Sequence, residues 1–159
     1  MSRPRFLFAL LVLGILLPLT ATSQTNVPLS PRATPPKLVP VAETSLLMEG
    51  LAQANFRGLE KLLTEKPKNA ESWKYARGQS LLIGETGNLL MLRPPKNQGQ
   101  EDWMTWSAEL REAASKLAKQ IAAEDLTGSR LALIDVATAC NRCHETFRVQ
   151  TRLTPFRQE

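Results

Sequence analysis

The stretch SRLALIDVATACNRCHETFRVQTR, residues 129–152, combines a helical pattern with a short motif of recognised chemistry. Its apolar and small residues recur every three or four positions, which is the spacing of one face of an α-helix. The motif CNRCH, residues 140–144, puts both sulfurs and the imidazole on that face. We predict a helix that begins after Thr127 or Ser129 and continues to about Arg152.

Three further segments show helical periodicity, each bounded by a breaker or a capping residue. The first is predicted from about Ala42 to Lys66, where Pro67 stops it. The second begins after Asn69 as N-cap and ends at about Leu92. The third carries the spacing of a bundle seam through Trp103, Trp106, Leu110, Ala113, Leu117 and Ile121.

Together these four segments predict an all-α fold. Convincing β-strand alternation is absent from the sequence, and the three predicted loops are short. Short loops make consecutive helices antiparallel neighbours, which gives an up-down-up-down four-helix bundle. In this topology the end of the fourth helix lies at the same end of the bundle as the start of the first.

The first 40 residues differ in composition from the rest of the chain. Residues 1–23 place Arg3 and Arg5 before an apolar run from Phe6 to Leu19, which predicts a signal peptide cleaved after Ser23. A membrane anchor is the alternative, but the run is shorter than the ~20 residues of a spanning helix. Residues 24–40 hold five prolines and predict a linker, so the domain comprises 41–159. We therefore expect a periplasmic or otherwise exported protein with no membrane span after cleavage.

The charge of the chain gives no indication of a nucleic-acid partner. Loss of residues 1–23 removes two of the 20 basic residues and none of the 15 acidic ones, which leaves a net charge of +3. The remaining basic residues are spread among acidic ones, with no basic stripe interleaved with aromatic side chains. Nucleic-acid binding is therefore not expected.

The sequence C-x-x-C-H is the attachment motif of c-type haem. Cys140 and Cys143 can each add across a haem vinyl group, and His144 can then bind the iron. These are the only two cysteines and the only histidine of the chain, so we predict one covalent haem per chain. A thioredoxin-like dithiol would instead have its cysteines at a helix N-terminus after a strand, and a zinc site would need more ligands. With the single histidine engaged, and no recognisable distal histidine or arginine for peroxidase-like turnover, enzymatic activity is not expected.

The segment CNRCHETFR, residues 140–148, near the end of a four-helix pattern resembles the cytochrome c prime family, the class II c-type cytochromes. In that family the bundle encloses the haem, and a Phe and a basic residue follow the motif, as Phe147 and Arg148 do here. The resemblance covers roughly 41–152, although only the C-terminal motif is specific. It implies a redox partner protein, and a homodimer as an option, since family members often dimerise.

The resemblance also indicates a second iron ligand, because some family members bind a methionine of the first helix and others leave this position open. The segment LMEGL, residues 47–51, looks like the family's ligand segment, which makes Met48 the candidate. A flexible core residue is the alternative role of Met48, and Met91 and Met104 also fall near the same end of the bundle. Thr44 stands where the family commonly has an arginine near the haem propionates. Arg93 and Arg148 are candidates for that pairing or solvated surface charges.

These features predict one-electron transfer through a haem ligated by His144 and Met48. The alternative is a haem with an open position that binds a diatomic gas such as nitric oxide or carbon monoxide. Trp103 and Trp106, at the start of the third helix, are expected near the haem. For Trp103 the role of an ordinary core residue is the preferred interpretation. Gly84 and Gly87 of the second helix would admit a close neighbour, either a helix or the haem face.

Overall fold

The computed structural model describes residues 36–157 of the 159-residue chain. The predicted signal peptide, residues 1–23, and residues 24–35 of the predicted linker lie outside the described residues. The last part of that linker, residues 36–40, is exposed and forms neither helix nor strand. From Lys37 onwards the described chain forms one compact unit.

Four helices and no β-strand make up the described part of the chain. The first helix, α1, has three consecutive parts, with an α-helical turn over Thr44–Leu47, a π-helical segment over Met48–Gln53 and an α-helix over Ala54–Glu65. The others are α2 over Ala70–Met91, α3 over Gln100–Ala122 and α4 over Leu126–Thr146. Short connections make successive helices antiparallel, and α2 with α3 and α3 with α4 form the two largest helix contacts. The predicted all-α four-helix bundle is confirmed.

The turn between α1 and α2 shows how local chemistry sets helix ends. Lys66 ends α1 in a left-handed conformation, with φ 68°, and Pro67 follows it. The predicted N-cap of α2 is confirmed, because the Asn69 side chain accepts a hydrogen bond from the Ser72 backbone N–H at 2.9 Å. The Ser72 hydroxyl in turn accepts from the Asn69 N–H at 3.1 Å, which completes a capping box.

The predicted bounds of the last helix are wrong at both ends. Its N-cap is Asp125, whose carboxylate accepts from the Gly128 N–H at 2.9 Å, and Ser129 is fully buried inside the helix. Its C-terminal residue is Thr146, six residues before the expected end at 152. Arg148 adopts a left-handed conformation, with φ 57°, and turns the chain back alongside α4. Apolar periodicity does not reveal such a turn, because non-glycine residues seldom adopt it.

Helices α2 and α3 approach each other closely over much of their length. A Cβ atom added at Gly87 would lie 2.6 Å from the Ser107 carbonyl oxygen, so only glycine fits there. The buried Ser80 hydroxyl donates to the Ala114 carbonyl at 2.7 Å, one hydrogen bond between the two helices. The close neighbour of Gly87 is therefore a helix.

Helices α1 and α4 contact each other far less, and two hydrogen bonds join them at one end. There the Arg130 guanidinium, at the start of α4, donates to the carbonyls of Leu63 and Thr64 at 2.8 and 3.1 Å. Toward the opposite end of the bundle a cavity takes the place of direct packing between the two helices. No helix within residues 36–157 is both long and apolar enough to cross a membrane.

Candidate functional site

A cavity of about 490 Å³ lies between the N-terminal half of α1 and the C-terminal half of α4. Its lining is mostly apolar, and all four helices and the segment after α4 contribute to it. The principal lining residues are Thr44, Met48, Ala52, Phe56, Ile83, Leu90, Trp103, Trp106, Leu110, Cys140, Cys143, His144, Phe147, Thr151 and Leu153.

The three motif residues Cys140, Cys143 and His144 all line this cavity. Cys140 is buried, while Cys143 and His144 are half-buried, and both thiols are free. Burial raises the pKa of Cys140 to about 12, with a further contribution from neighbouring Cys143, and burial raises the pKa of Cys143 to about 11. A dithiol oxidoreductase needs the opposite, because its attacking thiol must ionise near neutral pH. The environment of the two thiols weighs against that alternative.

The His144 ring has a defined hydrogen-bond partner. Its Nδ1 lies 2.7 Å from the backbone carbonyl oxygen of Thr151, in the segment that follows α4. A carbonyl oxygen can only accept a hydrogen bond, so Nδ1 must be the nitrogen that carries the hydrogen. In the neutral ring Nε2 then keeps its lone pair, which is the form of histidine that binds a metal.

Met48 lines the same cavity as the motif and is half-buried against the core. It is the first residue of the π-helical segment of α1, and such segments occur frequently at functional sites. The other two candidate methionines are elsewhere: neither Met91 nor Met104 lines the cavity, and Met104 is 43% exposed. Of the three methionines, the structure brings only Met48 together with His144.

Two tryptophans of α3 form part of the cavity wall. Trp103 packs against the core, as predicted, and also lines the cavity, with its Nε1–H donating to the Leu90 carbonyl at 2.7 Å. Its ring meets Phe147 edge to face, with the centroids 5.2 Å apart. Trp106 has a buried Nε1–H with no hydrogen-bond partner within residues 36–157. A bound group with an acceptor oxygen could satisfy this donor.

The two arginines proposed for propionate pairing do not line the cavity. Arg93 instead donates to the carbonyls of Leu89 and Ala42, at 2.6 and 3.3 Å, and so joins the end of α2 to the chain before α1. Arg148 is exposed at the end of α4. Thr44 does line the cavity.

The residues around the cavity fit a covalently attached haem. Its volume is in the range of small-molecule and cofactor sites, and its walls are largely apolar with a few polar groups. Two thiols, an imidazole with Nε2 unprotonated and a thioether supply the chemistry for attachment and for iron binding. The unpaired N–H of Trp106 would suit a carboxylate oxygen of such a group.

The sequence did not predict the part of the cavity formed after α4. Thr151 lies where the last helix is predicted to continue and Leu153 lies just beyond that predicted end, and both line the cavity. The only available signal was the apolar Leu153 and Phe156 beyond the motif, which by themselves specify no conformation.

A four-helix bundle with a C-x-x-C-H motif on the wall of a largely apolar cavity has the arrangement that a helical haem protein requires. Residues 97–148 match the family model described as Cytochrome C'. This match covers 52 of the 159 residues and, together with the four-helix fold, supports a relation to the cytochrome c prime family, a family that implies a covalently bound c-type haem. The matched region comprises α3 and α4 but neither α1 with Met48 nor the segment after Arg148. No curated protein sequence matches the chain.

Proposed function

We propose that this protein is an exported monohaem c-type cytochrome that transfers single electrons through a haem ligated by His144 and Met48. The observation that carries the proposal is the shared cavity, which Met48 lines together with Cys140, Cys143 and His144. A methionine and a histidine as the two axial ligands are typical of electron-transferring cytochromes.

The proposal gives each of these residues a role. Cys140 and Cys143 would hold the haem by thioether bonds, while His144 through Nε2 and Met48 through its sulfur would bind the iron. When bound, the haem supplies an iron that accepts and releases one electron. Phe56, Leu90 and Leu110 exclude water from the cavity, and such exclusion is one means by which a protein sets a reduction potential.

Haem staining and absorption spectroscopy test the proposal together. The protein is produced with a cytochrome c maturation system, and a haem-staining band is expected after denaturing electrophoresis, because thioether bonds survive denaturation. Spectra at neutral pH should be low-spin in both oxidation states, and carbon monoxide should bind slowly or not at all to the reduced protein. A wild-type protein without the stained band would refute covalent attachment.

Three methionine variants test the second ligand. Met48→Ala should convert the iron to high spin and allow rapid carbon monoxide binding, because the thioether is removed. Met91→Ala and Met104→Ala serve as matched controls and should leave the spectra unchanged, since neither side chain lines the cavity. A wild-type protein that is already high-spin and binds gas would favour the alternative function, capture of a diatomic gas, with Met48 as a packing residue.

We further propose that the protein acts in the periplasm or an equivalent exported compartment, with a redox protein as its partner and without enzymatic turnover of its own. Support for export comes from the signal-peptide pattern of residues 1–23. Protein purified from the exported fraction should begin at Gln24. An N-terminus at Met1 in that fraction would contradict cleavage.

A further inference from the structure

The segment that follows α4, residues 149–156, runs back along the helix that carries the attachment motif. We call it the C-terminal strap. Arg148, with φ 57°, reverses the chain at its start, and Phe156, with φ 60°, stands at its end. Non-glycine residues keep left-handed conformations only where surrounding contacts hold them, so a defined set of contacts is expected along the strap.

Four hydrogen bonds that involve side chains hold the strap in place, in addition to the backbone bond from the Val149 N–H to the His144 carbonyl at 2.7 Å. The Asn141 side chain bonds Leu153 twice, accepting from its N–H and donating to its carbonyl, each at 2.8 Å. The Phe156 N–H donates to the Glu60 carboxylate at 2.8 Å, which carries the strap across to α1. The fourth bond is the one between Thr151 and His144 at 2.7 Å.

The strap also contributes apolar contacts at the gap between α1 and α4. Leu153 and Phe156 pack against the core, and Val149, Thr151 and Leu153 line the cavity. Because α1 and α4 themselves have little direct contact, the strap closes a side of the cavity that neither helix covers.

We propose that the C-terminal strap is a positioning element for His144, with Asn141 as the residue that fixes it. The inference rests on the proposed function, in which His144 Nε2 binds iron. Asn141 and His144 are three residues apart and so lie on neighbouring positions of one helix face. Through its two bonds to Leu153, Asn141 holds the carbonyl of Thr151 over His144 Nδ1.

This arrangement has consequences for the imidazole. The bond to Thr151 keeps the hydrogen on Nδ1, fixes the orientation of the ring and increases the electron donation available from Nε2. A more strongly donating ligand stabilises the ferric state over the ferrous state, so the strap lowers the reduction potential. The strap lies outside the region that matches the family, so this control belongs to the chain's own C-terminal segment.

The test uses the haem-loaded protein and three variants. Asn141→Ala removes both bonds to Leu153, and a chain that ends at Gln150 removes Thr151 and all that follows. Gln150→Ala is the matched control, an exposed position within the strap. The two readouts are the reduction potential and the solvent exchange of the His144 Nδ1 proton. This proton is measured by NMR in reduced protein under carbon monoxide, where the iron is diamagnetic whether Met48 or the gas binds it.

Asn141→Ala should raise the reduction potential, by about 59 mV for each tenfold loss of preference for the ferric state. Exchange of the Nδ1 proton should accelerate, because the proton loses the carbonyl that accepts its hydrogen bond. The truncated chain should show both effects at least as strongly, and Gln150→Ala should match the wild type.

Three other outcomes would overturn the proposal. If Asn141→Ala and the truncated chain both keep the wild-type potential and exchange rate, the strap does not position His144, and the proposed function is unaffected. If both lose haem altogether while Gln150→Ala retains it, the strap is needed for folding and not for positioning. If the wild type itself carries no haem on the denaturing gel, the proposed function fails and the role of the strap fails with it.

Discussion

The two ends of the α1–α4 pair are built in opposite ways. At one end, which we call the closed end, Leu59, Leu63 and Leu133 are fully buried, and Arg130 hydrogen-bonds the last carbonyls of α1. At the other, the cavity end, the two helices are separated by a space of about 490 Å³, and the C-terminal strap runs from its wall to Glu60 in the second half of α1. One pair of helices thus provides both a side-chain core and a cofactor site.

The difference separates two sources of stability. At the closed end, burial of leucine side chains supplies the favourable free energy directly. At the cavity end the apolar walls face a space, and they lose their contact with water only when a bound group fills it. Substitutions at the closed end should therefore affect folding, while those at the cavity end should affect retention of the haem.

The largest expected effect is the loss of covalent attachment at the cavity end. Replacing both Cys140 and Cys143 by Ala removes the two groups that can form thioether bonds, so haem staining after denaturing electrophoresis should disappear. Leu133→Ala, at the closed end, should lower stability but keep the stained band. A stained band in the double variant, or its loss in Leu133→Ala, would remove the distinction between the two ends.

A smaller effect, on folding free energy, is expected from the closed end. Leu133→Ala should lower the free energy of unfolding by about 2–5 kcal/mol, because a fully buried leucine leaves a cavity when truncated. Urea unfolding of the haem-loaded protein measures this change. Leu131→Ala, on the same helix but 60% exposed, is the control and should stay within about 0.5 kcal/mol of the wild type. Equal losses in the two variants would contradict tight packing at the closed end.

The smallest effect concerns the α2–α3 pair. These two helices approach each other closely, whereas α1 and α4 are separated by the cavity. Gly87→Ala should destabilise the protein by about 1–3 kcal/mol, since the new methyl group would overlap the Ser107 carbonyl. Gly78→Ala lies in the same helix with no atom near the added methyl group, so it should stabilise by about 0.5–1 kcal/mol. Thermal unfolding of both variants provides the comparison. A stabilising Gly87→Ala would show that α2 and α3 can move apart.

The helices and the motif could be predicted because their signals are local. Asn69 as an N-cap, Pro67 as a terminator and the apolar repeats each depend on residues a few positions apart, and short loops leave few ways to pack four helices. The motif could also be recognised from the sequence, since its chemistry depends on the spacing of residues 140–144 alone. Met48 required a family resemblance as well, because a methionine on a helix is usually a core residue.

The strap and the π-helical segment could not be predicted, because local apolar spacing does not specify either of them. The course of the strap after the turn at Arg148 depends on hydrogen bonds from Leu153 to Asn141 and from Phe156 to Glu60, and the contact with Glu60 joins residues almost 100 positions apart. The six-residue π-helical segment shifts the apolar repeat by about one residue, which is too small a change for periodicity to detect. Trp103 both packs against the core and lines the cavity, and periodicity cannot distinguish a cavity wall from a packed interior.

Because α1 contains a π-helical segment over Met48–Gln53, the number of residues in that segment decides which side chains of α1 face the cavity. Its backbone hydrogen bonds run from residue i to i+5, so it accommodates more residues per turn than an α-helix. Since 3.6 residues complete an α-helical turn, each residue rotates the chain by about 100° around the helix axis. Deletion of the exposed Gly50, with a return to regular α-helical bonding, would rotate Met48 and everything before it by about that angle. Deletion of one solvent-facing residue would thus bring different side chains of α1 opposite His144, although no side chain of the cavity wall is itself replaced.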